Sequence, residues 1–316
     1  MRHFLHSVPI IAATAVLLAA CGGDDGGERA AETPTTSAQA AFPVTVEGAN
    51  GHPLTLDKRP ERIVSLSPTA TEMLYAIGAG DQVAAVDDQS NFPAEAPRTK
   101  LSFFQPNVEA IAGYRPDLVL LSNAEQDVVA GLDRLSIPTL LLPAAQKLDD
   151  TYGQIELLGK ATGHQAEAAA TITGMKSDIE AIVATIPERA EPLTYYHELD
   201  DNLFTVTSKT FIGQIYSLVG LQNIADKADK DGTGYPQLSR EYLIKADPDF
   251  IFLADTKCCG QNARTIAKRT GFANLTAVKE GRVIPLDDDI ASRWGPRVVD
   301  FLRTVANAVA AAGTGG

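Results

Sequence analysis

Residues 109–122 read EAIAGYRPDLVLLS, and residues 241–254 read EYLIKADPDFIFLA. Each copy has a Glu, six residues, Pro-Asp, and then a run of large apolar side chains. A proline cannot continue a helix, so Pro116 and Pro248 end a short amphipathic helix in each copy. The runs 118–121 and 250–253 have no polar alternation and read as strands buried on both faces of a parallel sheet. A phrase recurring at this separation predicts two lobes of similar build. Glu109 and Glu241 then start the same helix in each lobe, an arrangement that suits a chain gripped at both ends by a two-fold partner.

The rest of the chain fits an alternation of strand and helix. In the first half, strands are predicted at 62–67, 83–86, 118–121 and 139–142, with helices at 72–77, 107–112 and 124–135 and a polar loop from 87 to 101. In the second half, strands fall at 193–199, 204–207, 250–253 and 283–286, with helices at 211–219, 239–246 and 296–312. Strands separated by helices at this spacing form parallel α/β sheets. Between the halves, Ile155, Leu158, Ala161, Ala169, Ile172, Met175, Ile179 and Ile182 keep helical spacing. That segment predicts a long helix joining the lobes, or two helices meeting at Gly163. The expected organisation is an N-terminal lobe at 42–146, a long connecting helix at 147–190 and a C-terminal lobe at 191–316.

The first forty residues read as an address and a tether. Arg2 precedes an apolar stretch from 8 to 20 that is too short to span a membrane as a mature helix. Leu18-Ala19-Ala20-Cys21 resembles a lipobox, where bacterial lipoproteins are cut and acylated. The resemblance implies a signal peptide at 1–20, lipid on Cys21 and a flexible tether at 21–41, against a plain secretory signal with a chance cysteine. Export to the outer face of the cell membrane follows. Only Cys258 and Cys259 remain of the 3 cysteines. They are adjacent, and an exported thiol pair has reason to oxidise, so a vicinal disulfide stands against two free thiols.

Several functions are disfavoured. The formal net charge of −13 argues against nucleic acid, which needs a surplus of Lys and Arg. There is no G-x-S-x-G elbow, no H-E-x-x-H and no P-loop. Asp287-Asp288-Asp289 reads as a cation loop or as an ordinary solvated turn. His52, His164 and His197 are scattered, which disfavours a zinc or manganese carrier, and no resident cofactor is expected.

The run RIVSLSPTATEMLYAIGAGDQVAAVDD, the two Glu-x6-Pro-Asp phrases, YPQLSRE at 235–241 and SRWGPRVVDFL at 292–302 resemble the substrate-binding lipoproteins of ABC importers for vitamin B12, ferric siderophores and haem. The resemblance covers residues 42–312. It implies two α/β lobes on a rigid interlobe helix with the ligand cleft between them, no enzymatic activity, and a monomer that delivers ligand to a permease dimer. It also implies that Glu109 and Glu241 dock into arginine pockets on the two permease copies, whereas each Glu alone reads as an acid facing a helix dipole.

Open parallel sheets bind ligands at the carboxyl ends of their strands. Gln89, Phe103, Phe104, His197, Glu198, Tyr235, Arg293 and Trp294 fall near such ends, and as a set they are the expected ligand contacts. Arg293 suits an anionic siderophore or haem propionates. Phe103, Phe104, Tyr235 and Trp294 suit the face of a corrin or porphyrin. An axial ligand for haem would come from Tyr195, Tyr196 or His197. Cys258 and Cys259 also follow a strand and are expected to reach the cleft. The readings left open are a corrinoid, a ferric siderophore (either carrying its own metal) or haem as ligand; an exported metal-dependent enzyme using Asp287–Asp289; and a lipoprotein that binds envelope components.

Overall fold

The computed structural model describes residues 42–313, apart from 50, 52, 124 and 125. The expected signal peptide and the whole tether, Cys21 included, lie outside the described residues. The chain enters through an antiparallel hairpin, β1 (Val44–Glu47) with β2 (Pro53–Leu56). The N-terminal lobe follows as β3 (Ile63–Leu66), α1 (Pro68–Ala76), β4 (Val83–Asp87), β5 (Arg98–Leu101), α2 (Val108–Ala112), β6 (Leu118–Leu121), α3 (Gln126–Arg134) and β7 (Thr139–Leu141). Its five strands are parallel, in the order β5-β4-β3-β6-β7.

Two helices then connect the lobes, α4 (Leu148–Thr162) and α5 (Gln165–Val183). The C-terminal lobe is β8 (Thr194–Glu198), α6 (Phe211–Leu218), β9 (Gln222–Asn223), α7 (Arg240–Ala246), β10 (Phe250–Leu253), α8 (Thr256–Cys259), α9 (Ala263–Ala267), α10 (Thr276–Lys279), β11 (Val283–Pro285), α11 (Asp288–Ser292) and α12 (Val298–Gly313). Its four strands are also parallel, in the order β11-β10-β8-β9.

The repeated phrase has the same structure in both lobes. β6 and β10 are buried at every position, and each lies between two other strands of its sheet. The residue before each proline is forced out of the right-handed helical region. Both adopt positive φ: Arg115 at 51° and Asp247 at 43°. The Asp after each proline then ties down the neighbouring strand. Asp117 accepts the backbone N–H of Glu61 and Arg62, just ahead of β3, each at 2.9 Å. Asp249 accepts the N–H of Thr194, the first residue of β8, at 2.8 Å. Pro-Asp is thus a helix stop followed by a clamp on the next strand.

Of the two readings of the connection, one long helix or two meeting at Gly163, the structure has the second. Gly163 takes φ +79°, a left-handed conformation that closes α4 and lets the chain reverse. α5 packs back along α4: a Cβ on Gly159 would sit 2.5 Å from Ala168 Cβ, and Lys176 Nζ lies 4.8 Å from the centre of the Tyr152 ring. One apolar core includes Met73 and Leu74 of α1, Ile155 and Leu158 of α4, Met175 and Ile179 of α5, Tyr216 of α6 and Phe301 of α12. The lobes therefore share packing through the connecting helices, and close-packed interiors resist sliding.

Other elements also differ from expectation. The stretch 204–207 forms no strand, only an isolated bridge between Phe204 and Gln237. The loop 87–101 contains β5, an edge strand with only Leu101 buried, too polar to show an apolar run. Residues 288–292 are helical because Asp287 caps them, accepting the N–H groups of Asp289 and Ile290.

Candidate functional site

The carboxyl ends of four adjacent N-lobe strands converge on one cavity. Ser67 follows β3, Gln89 follows β4, Phe103 and Phe104 follow β5, and Ser122 follows β6; all five line a cavity of about 280 Å³. The opposite wall comes from the C-terminal lobe after β11: Asp289, Ser292, Arg293 and Trp294. Of the eight expected ligand contacts, the structure brings five to this cavity: Gln89, Phe103, Phe104, Arg293 and Trp294.

The apolar surfaces are held in place by polar contacts at their edges. Trp294 donates its indole N–H to Gln154 Oε1 at 2.9 Å, and its carbonyl accepts from Thr151 Oγ1 at 2.9 Å. Both contacts tie the C-lobe tryptophan to α4. Phe103 and Phe104 meet edge to face with ring centres 5.0 Å apart. The Phe103 N–H donates to Asp88 Oδ1 at 3.1 Å. Phe104 is 70% exposed, an unusual state for a large apolar ring without a partner surface.

Arg293 lines the cavity, but its charge is already matched. Nη1 donates to Glu72 Oε1 at 2.7 Å and to Asn91 Oδ1 at 2.9 Å. Nη2 donates to the Gln89 carbonyl and to Asp289 Oδ1, each at 2.9 Å. It is thus not the free cationic anchor that its place in the sequence predicts. The loop that presents Gln89 is organised by Asp87, which accepts the N–H groups of Gln89 at 2.7 Å and Ser90 at 2.9 Å. Burial pushes the Asp87 carboxyl up to about 6.

His197 and Glu198 do not reach the cavity. They end β8, which lies between β10 and β9, and both are buried. His197 pairs through Nδ1 with Tyr216 Oη at 2.7 Å, and burial pushes its imidazole down to about 3. Tyr195 and Tyr196 are equally buried, so none of the three expected axial groups faces the cleft. Glu198 is held by Arg269 through both carboxylate oxygens. Tyr235 is half-exposed on the C-terminal lobe and does not line the cavity.

The acidic cluster has structural partners. Asp288 accepts the N–H groups of Thr256, Lys257 and Cys258 at 2.8, 2.8 and 2.9 Å, fastening the start of α8 onto α11. Lys257 Nζ bridges Asp287 at 2.7 Å and Asp289 at 2.9 Å. No group of His, Cys, Asp and Glu suited to a metal ion occurs among the described residues. Cys258 and Cys259 are joined as a vicinal disulfide in α8, exposed, and outside the cavity lining.

Glu109 and Glu241 are exposed and occupy the second position of α2 and α7. The helices are capped alike: Asn107 accepts from the N–H of Ala110, and Ser239 accepts from the N–H of Tyr242. Among the described residues neither Glu side chain has an ion pair.

Glu72, Arg297, Arg269 and Asp255 shape these regions and went unread in the sequence. The one available signal was Glu72 itself, a charge inside the otherwise uncharged run 67–77. Its partners lie more than two hundred positions away, a separation that carries no periodic signal.

Residues 63–290 match the periplasmic binding protein family. The chain is 32% identical over 305 residues to the uncharacterized ABC transporter substrate-binding lipoprotein YvrC of Bacillus subtilis, with 93% of each covered. It is 33% identical over 309 residues to the cobalamin-binding protein of Halobacterium salinarum, covering 95% of this chain and 83% of that protein. The crystal structure of the periplasmic vitamin B12-binding protein BtuF of Vibrio cholerae superposes with a TM-score of 0.64 at 26% identity, covering 81% of this chain and 100% of that one. With its two-lobed frame and interlobe cavity, the chain belongs to the periplasmic binding protein family, and its work is binding and not catalysis.

Proposed function

We propose that this protein captures a corrinoid of the vitamin B12 type outside the cell and delivers it to the permease of an ABC importer. The observation that carries the reading is the cavity wall. Phe103, Phe104 and Trp294 offer aromatic surface, while the one cation in the lining, Arg293, is already neutralised. Aromatic faces suit a flat macrocycle, and the matched charge suits a ligand without a carboxylate to anchor. Similarity to two cobalamin-binding proteins supports the same choice. A ferric siderophore without a free anionic group meets the same walls and is the second reading. Haem has less support, because Tyr195, Tyr196 and His197 are buried away from the cleft.

In this reading lipid on Cys21 holds the chain at the membrane. Glu109 and Glu241, repeated at the same helical position in the two lobes, each meet one copy of the permease. The test is a ligand comparison on the purified protein. Cyanocobalamin, a neutral ferric hydroxamate and haemin are each titrated while melting temperature and visible spectrum are followed. A ligand that binds only the folded state raises the melting temperature in proportion to log concentration above its Kd. Cyanocobalamin is expected to give the largest shift. A shift with the ferric hydroxamate and none with cyanocobalamin would overturn the corrinoid assignment in favour of the second reading.

A further inference from the structure

Glu72 lies on α1 of the N-terminal lobe and is 3% exposed. Its carboxylate sits between two arginines from the far end of the chain. Arg293 Nη1 reaches Oε1 at 2.7 Å, and Arg297 Nε reaches Oε2 at 2.9 Å, with Arg297 Nη2 also on Oε1. The side chains of Arg293 and Arg297 are only 9% and 18% exposed. The N-terminal lobe adds the Gln89 carbonyl and Asn91 to Arg293, and the Phe92 ring 4.2 Å from the Arg297 guanidinium carbon. Asp289 supplies the second acid. Two arginines thus face two carboxylates where the lobes meet, and one of the arginines lines the cavity.

We propose that Glu72 sets the charge selectivity of the cleft, by holding Arg293 as an internal ion pair so that the cavity wall offers no cation to a ligand. This deepens the corrinoid reading and rests on the cleft being the binding site. The physical basis is the cost of an unmatched buried charge. Without the Glu72 charge, Arg293 and Arg297 are left with Asp289 alone, which pairs with Arg293 and is shared with Lys257, so positive charge is under-compensated and is relieved by any anion that can reach it. Arg293 opens onto a cavity of about 280 Å³, so an anionic group on a ligand can reach it. Arg297 is covered by Phe92 and does not line the cavity. The same carboxylate spans the lobes, so Glu72 also positions the Trp294 wall against the Phe103 wall.

The test compares Glu72→Gln with wild type, using cyanocobalamin as a neutral corrinoid and ferric citrate as an anionic iron chelate. The chain has 1 tryptophan, Trp294, in the cavity wall, so fluorescence quenching reports occupancy at the site itself. The ratio of the two dissociation constants should move toward ferric citrate by about tenfold or more, as expected for a charge-assisted hydrogen bond to a freed guanidinium. The gain should shrink at high salt, because it is electrostatic. It should vanish in Glu72→Gln/Arg293→Met, which removes the freed cation. Glu72→Asp keeps the charge but is too short to satisfy both arginines, so it should shift the ratio the same way by less; it serves as the second reading if the Gln variant folds poorly. A folded variant of either kind whose ratio stays within about threefold of wild type would overturn the proposal. If wild type binds no corrinoid, the ligand assignment fails separately. The gain of ferric citrate binding in Glu72→Gln then still reads the role of Glu72.

Discussion

Arg269 grips Glu198 through two parallel hydrogen bonds, Nη1 to Oε2 at 2.6 Å and Nη2 to Oε1 at 2.7 Å, inside the C-terminal lobe. Asp255 stands against Glu198 with both carboxylate oxygens buried and neither one on the guanidinium. A single guanidinium thus serves two neighbouring acids, and the geometry gives it to Glu198.

That arrangement makes stability depend on pH. Burial, then the Glu198 charge, pushes Asp255 up to about 7. The other charged or titratable groups around the pair are Arg269, Tyr196 and, farther out, Asp200. Between about pH 4 and pH 7 the folded chain holds a proton on Asp255 that the unfolded chain has lost, so this contribution to stability falls as pH rises through about 7. Asp255→Asn mimics the protonated acid. It should raise stability by about 1–3 kcal/mol at pH 8 and change little at pH 4. Melting curves of both proteins at the two pH values check this, and an equal gain at both would refute it.

Glu109 and Glu241 should act in transport and not in ligand binding. Exposed charge pairs at a rim act on encounter rate and register, and salt weakens them. Glu→Lys at either position should leave ligand affinity nearly unchanged and reduce uptake sharply, with the double reversal worse. Glu→Gln should do less harm because it adds no repulsion. Binding by the purified variants beside uptake by cells carrying them is the measurement. Normal uptake by the double reversal would leave these acids as helix-dipole partners only.

The vicinal disulfide should be present in the exported protein, where no reductant protects exposed thiols. Intact mass before and after reduction should differ by two hydrogen atoms. Full alkylation of Cys258 and Cys259 without reductant would contradict it.

The connecting helices give a paired test of packing. Gly159→Ala puts a methyl 2.5 Å from Ala168 Cβ and 3.1 Å from the His164 carbonyl. Overpacking of about 1–3 kcal/mol should outweigh the better helix propensity, giving net destabilisation. Gly174→Ala in α5 meets nothing within 4 Å and should stabilise by up to about 1 kcal/mol. Denaturant unfolding of the two variants should therefore give shifts of opposite sign.

Cys21→Ala should release the protein to the medium or leave it uncut, since stable anchoring needs two acyl chains on the processed cysteine. Fractionation of cells carrying the variant decides this. A processed variant that stays with the membrane would count against lipid at Cys21.

Periodicity and local chemistry were enough to read the frame of this protein. The buried runs 118–121 and 250–253, the Pro-Asp stops ahead of them and the capped helices bearing Glu109 and Glu241 are short-range features, governed by residues within a turn or two of one another. The rule that parallel sheets bind ligands at their carboxyl ends also brought Gln89, Phe103, Phe104 and Trp294 to one cavity. Which strand ends face the cleft was a tertiary matter. His197 and Glu198 end a strand just as Ser67 does, yet β8 is covered on both sides, and its last side chains pair with Tyr216 and Arg269. Arg293 looked like an open cation because nothing near it in the sequence neutralises it. Glu72 does so from 221 positions away. Charge matching across that distance is decided when the lobes pack, because burial makes an unpaired ion costly and so selects its partner from the whole fold.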